Sequence, residues 1–246
     1  MLDFVSFFVK TKKEINSIKN KIKKNIELKE IFNQSSCLIC GNRSNDLICL
    51  NCKKRIKKYE IERFISNKNS IKNLLKCEKI YFDSLFYLYE YKGLIRKIIL
   101  NYKFYNKSYF CNFFAKMLLN CKKTYRFFSF YDIIIPVPME KGKRLQRGYN
   151  QAELITNIIC KNTKILNGNL FIKKIRKTKI QSTLNLNQRK ENIKNAFCVN
   201  KLNEIIGKKI VLFDDVCTTG NTVNEISRIL KEAGASEILV IVLAKD

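Results

Sequence analysis

The chain has 246 residues, of which 46% are hydrophobic and 28% are charged, a balance typical of folded globular proteins rather than of disordered chains. It contains no His, which excludes Ser–His and Cys–His catalytic arrangements and any His metal ligand. No apolar run approaches the ~20 residues that a membrane span requires.

The formal net charge of +27 is weak evidence for a nucleic-acid ligand. Only ten of the 48 basic residues are Arg, and Asn and Ile are also abundant. Lys, Asn and Ile share A/T-rich codons, so the bias has a genomic explanation, although a general attraction to polyanions still follows. The opening MLDFVSFFVK lacks the basic flank and the cleavage site of a secretory signal. We therefore expect a cytoplasmic protein.

Residues 1–36 are predicted to form a basic helical lead-in. Ile15, Ile18, Ile22 and Ile26 recur at helical intervals. This spacing is typical of a helix that packs one apolar stripe on a neighbouring element.

A module with four cysteines is predicted at residues 37–58. Cys37 and Cys40 form one C-x-x-C pair, and Cys49 and Cys52 form a second pair eight residues later. Two such pairs complete a tetrahedral shell of four thiolates, which leaves no open position on the metal. The spacing therefore predicts a structural Zn²⁺ site of the zinc-ribbon type, with a redox dithiol pair as the alternative.

Residues 59–80 are predicted to be a charged linker, helical in places, and residues 81–246 to form the main domain. The pattern in this domain predicts a strand or hairpin at 81–91, helices at 93–102 and over KSYFCNFFAKMLLNC, a buried strand at 132–135, a loop, a helix from near Asn150, and strands near 171–175, 209–213 and 237–243. The last two strands flank the helix NTVNEISRILKEAGA. This order predicts an α/β fold with a parallel sheet flanked by helices.

The stretch IVLFDDVCTTGNT places Asp214 and Asp215 at the carboxyl end of a predicted strand, where open α/β sheets bind ligands. The loop that follows enters a helix, and unpaired N–H groups at a helix start attract anions. Two carboxylates beside such a loop suit a sugar phosphate, and carboxylate oxygens are also ligands that Mg²⁺ prefers. An aspartate that favours the helix dipole is the alternative, but it explains one carboxylate and not two.

IVLFDDVCTTGNT closely resembles the phosphoribosyl-pyrophosphate (PRPP) signature of type I phosphoribosyltransferases. In that family the acidic pair binds the ribose hydroxyls of PRPP, and the following loop binds its 5′-phosphate. The resemblance therefore assigns ribose binding to Asp214 and Asp215, with Mg²⁺ carried by PRPP. It assigns the 5′-phosphate to Thr218, Thr219, Gly220, Asn221 and Thr222.

A diphosphate ligand requires a second anion site, which IIIPVPMEKGKRLQRGYNQAELI supplies. Its two prolines stiffen the end of a strand, and four basic residues follow them. Arginine offers two-pronged contacts to phosphate, so this loop is predicted to bind pyrophosphate, with an ordinary basic surface loop as the alternative. The predicted pyrophosphate residues are Pro136, Val137, Pro138, Lys143, Arg144 and Arg147.

The segments PVPMEKGKRLQRGYNQAEL and RKTKIQSTLNLNQRKENIKNAF, preceded by four cysteines, resemble the ComF family of competence-associated phosphoribosyltransferase-like proteins. The resemblance covers residues 37–246 and implies a type I phosphoribosyltransferase-like sheet with an N-terminal zinc ribbon. It also implies a link to DNA uptake in natural transformation.

Two functions remain open for such a protein. One is an enzyme in which an acceptor displaces pyrophosphate from PRPP. The other is a non-catalytic PRPP sensor, or an adaptor that binds single-stranded DNA or a helicase. Residues 176–192 are predicted to form a flap over the ligand, with a plain surface loop as the alternative.

Overall fold

The computed structural model describes residues 36–104, 107–176 and 192–246, which divide into two compact units between Arg55 and Ile56. The predicted helical lead-in, except for residue 36, and residues 177–191 of the predicted flap lie outside the described residues. None of the helices in the described ranges is long and apolar enough to cross a membrane.

The first unit folds its described residues around two tight cysteine turns. Ser36 and Arg43 form an isolated antiparallel bridge. The N–H of Gly41 donates to the Cys37 carbonyl at 2.8 Å, and Gly41 has a φ of +77°, a conformation that suits glycine. Helix α1 (Leu50–Lys57) begins directly after Cys49. The first unit is therefore small and built around its thiols.

The second unit contains a six-stranded sheet with the strand order β1-β2-β8-β7-β3-β4 and a separate two-stranded sheet of β5 and β6. All neighbours in the large sheet are parallel except β1 and β2. The strands are β1 (Glu60–Ile65), β2 (Ser84–Glu90), β3 (Ile133–Pro136), β4 (Leu166–Asn167), β5 (Ile172–Lys174), β6 (Phe197–Val199), β7 (Lys209–Cys217) and β8 (Glu237–Lys245).

Helices connect several of these strands, and all of them except α6 bury apolar residues in the unit. The helices that follow α1 are α2 (Lys68–Leu75), α3 (Gly93–Phe104), α4 (Phe110–Asn120), α5 (Lys122–Phe130), α6 (Lys141–Arg147), α7 (Gln151–Asn162) and α8 (Asn221–Glu232), with a short 3-10 helix at Leu202–Glu204. Helix α8 connects β7 to its parallel neighbour β8, as the order of the predicted elements requires.

The central strands β7 and β8 are apolar over most of their length because both faces of this part of the sheet are buried. Strand β7 continues beyond the predicted end at residue 213, to Cys217. Asp214 and Asp215 therefore belong to the strand itself, and the pairing with β8 fixes their backbone. The α/β fold and the parallel sheet predicted from the sequence are confirmed.

Two predictions about local structure are corrected. Residues 59–80, predicted to be a linker, contain β1 at the edge of the large sheet and α2, whose Ile71 and Leu75 are buried in the core. The segment after Pro138, predicted to be a loop, forms the two-turn helix α6. Both segments are rich in charge, and their elements are short and bury few apolar residues each: one in β1, two in α2 and none in α6, so their apolar pattern is weak in the sequence.

Candidate functional site

A cavity of about 390 Å³ opens at the carboxyl ends of β3 and β7. Cavities of this size hold small ligands in many proteins. Its walls come from β7, the β7–α8 loop, α6 with the segment before it, the end of α3, and the small β5–β6 sheet. The walls include Asp214, Asp215, Thr218, Thr219, Gly220, Asn221, Thr222, Val137, Pro138, Lys143 and Arg147 of the predicted set.

The acidic pair forms the floor of this cavity. The side chain of Asp215 is 11% exposed, and its backbone N–H donates to Asp214 Oδ1 at 2.8 Å. Burial, and next the charge of Asp215, raise the pKa of Asp214 to about 7. Asp214 therefore keeps its proton to a higher pH than an ordinary aspartate.

Lys103, at the end of α3, forms an ion pair with Asp215. Its Nζ lies 2.7 Å from Asp215 Oδ1, and its side chain is 19% exposed. Burial opposes its charge, but Asp215 and Asp214 raise the pKa of Lys103 above its ordinary value. Sequence reasoning missed Lys103. The one available signal was its place directly after the buried face of a helix that includes Ile99 and Tyr102.

The loop from Thr218 to Gly220 leads into α8 and exposes the start of that helix to the cavity. Gly220 is the N-terminal cap and has a φ of +73°, in the left-handed region. The first amides of a helix have no acceptor within the helix, so they can bind an anion. The loop therefore presents the start of a helix to the cavity, and its binding of a phosphate stays a prediction.

The basic segment contributes two of its three predicted cations to the cavity. Lys143 and Arg147 line it, and the Arg147 guanidinium lies 4.5 Å from the centre of the Phe104 ring. Arg144 instead forms an ion pair with Glu153, at 2.9 Å between Nη1 and Oε2. Pro136 is the buried last residue of β3 and does not line the cavity.

Asn150 ties the basic segment to the helix behind it. Its Nδ2 donates to the Val137 carbonyl at 3.0 Å, and its Oδ1 accepts from the Ala152 N–H at 3.2 Å as the cap of α7. The segment after β3 is thus held at the mouth of the cavity by a hydrogen-bonded side chain that is itself buried.

The remaining wall comes from the β5–β6 sheet, with Lys174, Ile193 and Phe197. The Lys174 Nζ lies 5.7 Å from the centre of the Phe197 ring. Burial, and next Lys143, lower the pKa of Lys174. This wall gives the cavity an apolar side with one further cation.

In the first unit, Cys37, Cys40, Cys49 and Cys52 form a separate cluster. Their sulfur atoms all lie within 4.8 Å of one another, and Cys40 Sγ is 3.8 Å from Cys49 Sγ. A tetrahedral metal with bonds of about 2.3 Å separates its sulfur ligands by about 3.8 Å, so the cluster fits a metal ion. The backbone N–H groups of Ile39 and Cys49 donate to Cys37 Sγ at 3.5 and 3.3 Å, as suits a thiolate.

Comparison with known proteins gives the family context of both units. The family model for the phosphoribosyl transferase domain matches residues 164–246. The chain is 32% identical to competence protein F of Haemophilus influenzae, over 85% of this chain and 96% of that protein. It is 33% identical to the DNA utilization protein YhgH of Escherichia coli, over 44% of this chain and 47% of that protein.

Two more distant similarities were also found. The chain is 26% identical to competence protein ComFC of Streptococcus pneumoniae, over 61% of this chain and 63% of that protein. A solved structure of the allosteric regulatory enzyme of purine biosynthesis is 22% identical, with a TM-score of 0.36, over 56% of this chain and 25% of that one. That score is too low to support an argument. The match to competence protein F extends over almost the whole of that relative, and the chain belongs to the ComF family of competence-associated, phosphoribosyltransferase-like proteins.

Proposed function

We propose that this protein binds PRPP, or a closely related ribose phosphate, as its Mg²⁺ complex in the cavity at the ends of β3 and β7. The observation that carries the proposal is that a carboxylate pair, a helix-capping loop and a cationic segment face the same 390 Å³ space. A sugar that bears phosphate at both ends needs acceptors for its hydroxyls between two separate groups of donors.

Each group has a role in this proposal. Asp214 and Asp215 accept hydrogen bonds from the ribose hydroxyls. The β7–α8 loop from Thr218 to Thr222 binds the 5′-phosphate through backbone N–H groups and hydroxyls. Lys143 and Arg147 bind the pyrophosphate, beside the backbone of Val137 and Pro138. Mg²⁺ enters on the diphosphate oxygens and neutralises part of their charge.

The same arrangement suits a transferase reaction, in which an acceptor displaces pyrophosphate from C1 of the ribose. Lys143 and Arg147 would stabilise the departing charge, and the carboxylates would face the positive sugar ring, so positioning and electrostatics would supply the rate. Release of pyrophosphate from PRPP in the presence of a panel of bases and amines distinguishes an enzyme from a PRPP sensor.

Calorimetry with PRPP and Mg²⁺ tests the binding proposal directly. We expect wild-type protein to bind and Asp215→Asn to lose at least about 100-fold in affinity, because the change removes the charged acceptor. Glu204→Gln is the matched control, since Glu204 pairs with Lys201 on the surface and does not line the cavity. Folded wild-type protein with no affinity for PRPP or ribose 5-phosphate would refute the proposal.

A second candidate is an adaptor that handles single-stranded DNA or contacts a helicase during DNA uptake. The net charge of +27 and the names of the relatives, which refer to competence and to DNA utilization, favour it. Such binding depends on phosphate contacts, so it should weaken steeply with salt. It should also survive Asp215→Asn unchanged, whereas PRPP binding should not.

We further propose that the four-cysteine cluster holds one structural Zn²⁺ and that the protein works in the cytoplasm. Four thiolates are the usual shell of structural zinc and leave no position for a substrate. All ten cysteines lie in the described residues, and none of them forms a disulfide. Free thiols are typical of a reducing compartment.

A further inference from the structure

Two side chains of the RGYNQ segment hold the end of helix α3. The Tyr149 hydroxyl donates to the Tyr102 carbonyl at 2.6 Å, and Gln151 Nε2 lies 3.5 and 3.4 Å from the carbonyls of Tyr102 and Lys103. The Tyr102 hydroxyl donates in return to the Gln151 carbonyl at 2.9 Å. All three side chains are buried, and the Tyr102 and Tyr149 rings stack at 5.8 Å.

This hydrogen-bond network fixes the backbone at Lys103. The last carbonyls of a helix have no N–H partner within it, so they fray unless other groups bind them. Here Tyr149 and Gln151 bind them, and the backbone that carries Lys103 is fixed against α7. The Lys103 side chain then extends into the cavity and reaches Asp215.

Lys103 lies on the pyrophosphate side of the cavity. Phe104, the next residue, stacks under the guanidinium of Arg147, one of the two cations proposed to bind pyrophosphate. Burial lowers the pKa of Arg147, and the charge of Asp215 opposes that shift. Lys103 and Arg147 therefore line the same cavity and are linked through Phe104, the neighbour of Lys103 in the chain.

The ammonium group of Lys103 has donors to spare. A lysine carries three N–H donors, and among the described residues Asp215 is the partner that the structure gives it. Two donors remain for a ligand in the cavity. A ligand with two phosphorylated ends also approaches a pair of carboxylates, and a cation paired to one of them reduces the repulsion.

We propose that Lys103 is a third pyrophosphate-binding cation of this site, and that Tyr149 and Gln151 are positioning residues that hold it there. This inference rests on the proposed function and extends it beyond the two sequence segments that predicted the site. In this inference, Tyr149 and Gln151 of the RGYNQ segment position the side chain of Lys103, which belongs to helix α3.

Three ligands, each with Mg²⁺, test this inference by calorimetry: PRPP, pyrophosphate and ribose 5-phosphate. Lys103→Met should weaken PRPP and pyrophosphate at least about tenfold, because a charged hydrogen bond to the diphosphate is lost. Ribose 5-phosphate, which has no diphosphate, should change by less than about threefold. Lys103→Arg should restore most of the pyrophosphate affinity.

Lys231→Met is the matched control. Lys231 also forms a partly buried ion pair, at 2.8 Å to Asp83 with 28% of its side chain exposed, and it does not line the cavity. It should leave all three affinities unchanged. If Lys103→Met does not fold, Lys103→Gln removes the charge while keeping a polar end, and the same comparison applies.

The positioning role has its own test. Tyr149→Phe removes the hydroxyl that binds the Tyr102 carbonyl and should weaken pyrophosphate more than ribose 5-phosphate. Tyr131→Phe removes a hydrogen bond of the same length, from Tyr131 to Glu237 at 2.6 Å, outside the cavity, and should show no such difference.

Each result decides the inference. Equal loss of ribose 5-phosphate and pyrophosphate in Lys103→Met would mean that Lys103 acts only through Asp215, which overturns it, as would unchanged pyrophosphate affinity. If the wild type and Lys103→Met bind ribose 5-phosphate and PRPP with equal affinity, the role proposed for Lys103 is wrong, but the proposed function of the protein stands. Wild-type protein that binds none of the three ligands rejects the proposed function as well.

Discussion

The backbone of Gly220 packs against the Leu75 side chain so closely that a Cβ at position 220 would lie 2.6 Å from Leu75 Cδ1. Leu75 is buried in the core, and Gly220 has a φ of +73°, which side chains rarely adopt. Helix α2 therefore forms the back wall of the proposed phosphate loop, and only glycine fits between them.

Gly220→Ala should distort this loop. We expect a loss of at least about tenfold in affinity for ribose 5-phosphate, together with a lower melting temperature, because the clash and the strained φ act on the same bend. Gly142→Ala is the control. Gly142 has an ordinary φ, and a Cβ added there would lie 3.7 Å from Glu140 Oε1, its nearest neighbour. Unchanged ligand affinity in Gly220→Ala would contradict the loop's assigned role.

Substitutions of Arg144 and Arg147 should have different effects on pyrophosphate affinity, although both residues lie in the short helix α6. Arg147→Gln should weaken pyrophosphate binding at least about tenfold, because Arg147 lines the cavity. Arg144→Gln should leave that affinity unchanged and lower stability by at most about 1 kcal/mol, because its ion pair with Glu153 is partly exposed. Calorimetry and thermal melting of the two variants, side by side, separate the roles. Equal effects on binding would show that both arginines reach the ligand.

Zinc content should depend on the four-cysteine cluster and on no other thiol. Purified protein should contain about one zinc ion per chain, and Cys40→Ser should lose most of it because three thiolates bind zinc far less tightly. Cys198→Ser, which changes a half-buried cysteine of β6 outside the cluster, should retain the metal. Metal analysis measures the zinc content of each variant, and thiol alkylation before and after chelation measures how far the metal protects the cysteines. Wild-type protein without zinc, whose Cys49 is readily alkylated, would rule out the site.

The contribution of Asp214 should make the ligand-free protein less stable as the pH rises from about 4 to about 7. Burial and the charge of Asp215 raise the pKa of Asp214 to about 7, far above its ordinary value. Between these two values the folded protein keeps a proton that the unfolded chain has lost, so the free energy of unfolding decreases with pH.

Asp214→Asn isolates this contribution because an amide cannot ionise. Its melting temperature should change less with pH than that of the wild type, and it should exceed the wild-type value at the alkaline end. Glu204→Gln, at the surface, should keep the wild-type slope. The same slope in Asp214→Asn and in the wild type would mean that Asp214 is ionised throughout the range.

Some parts of the candidate site could not be predicted from the sequence, because they depend on contacts between segments that are distant in the chain. Lys103 carries no local mark of function, and it reaches Asp215 only because Tyr149 and Gln151 hold the end of α3 against α7. Arg144 and Arg147 look equivalent in the sequence. In the structure, Arg144 pairs with Glu153, whereas Arg147 lines the cavity.

The features that could be predicted from the sequence lie in continuous stretches of the chain. The acidic pair, the loop and the start of α8 follow one another along the chain, and the two C-x-x-C pairs lie within sixteen residues, so their geometry is largely local. Which further charges line the cavity depends on the tertiary structure, and so does the folding of the predicted linker as β1 and α2, the second of which lies behind Gly220. The physical reason is that side-chain direction and burial depend on packing between elements, which residue order alone does not specify.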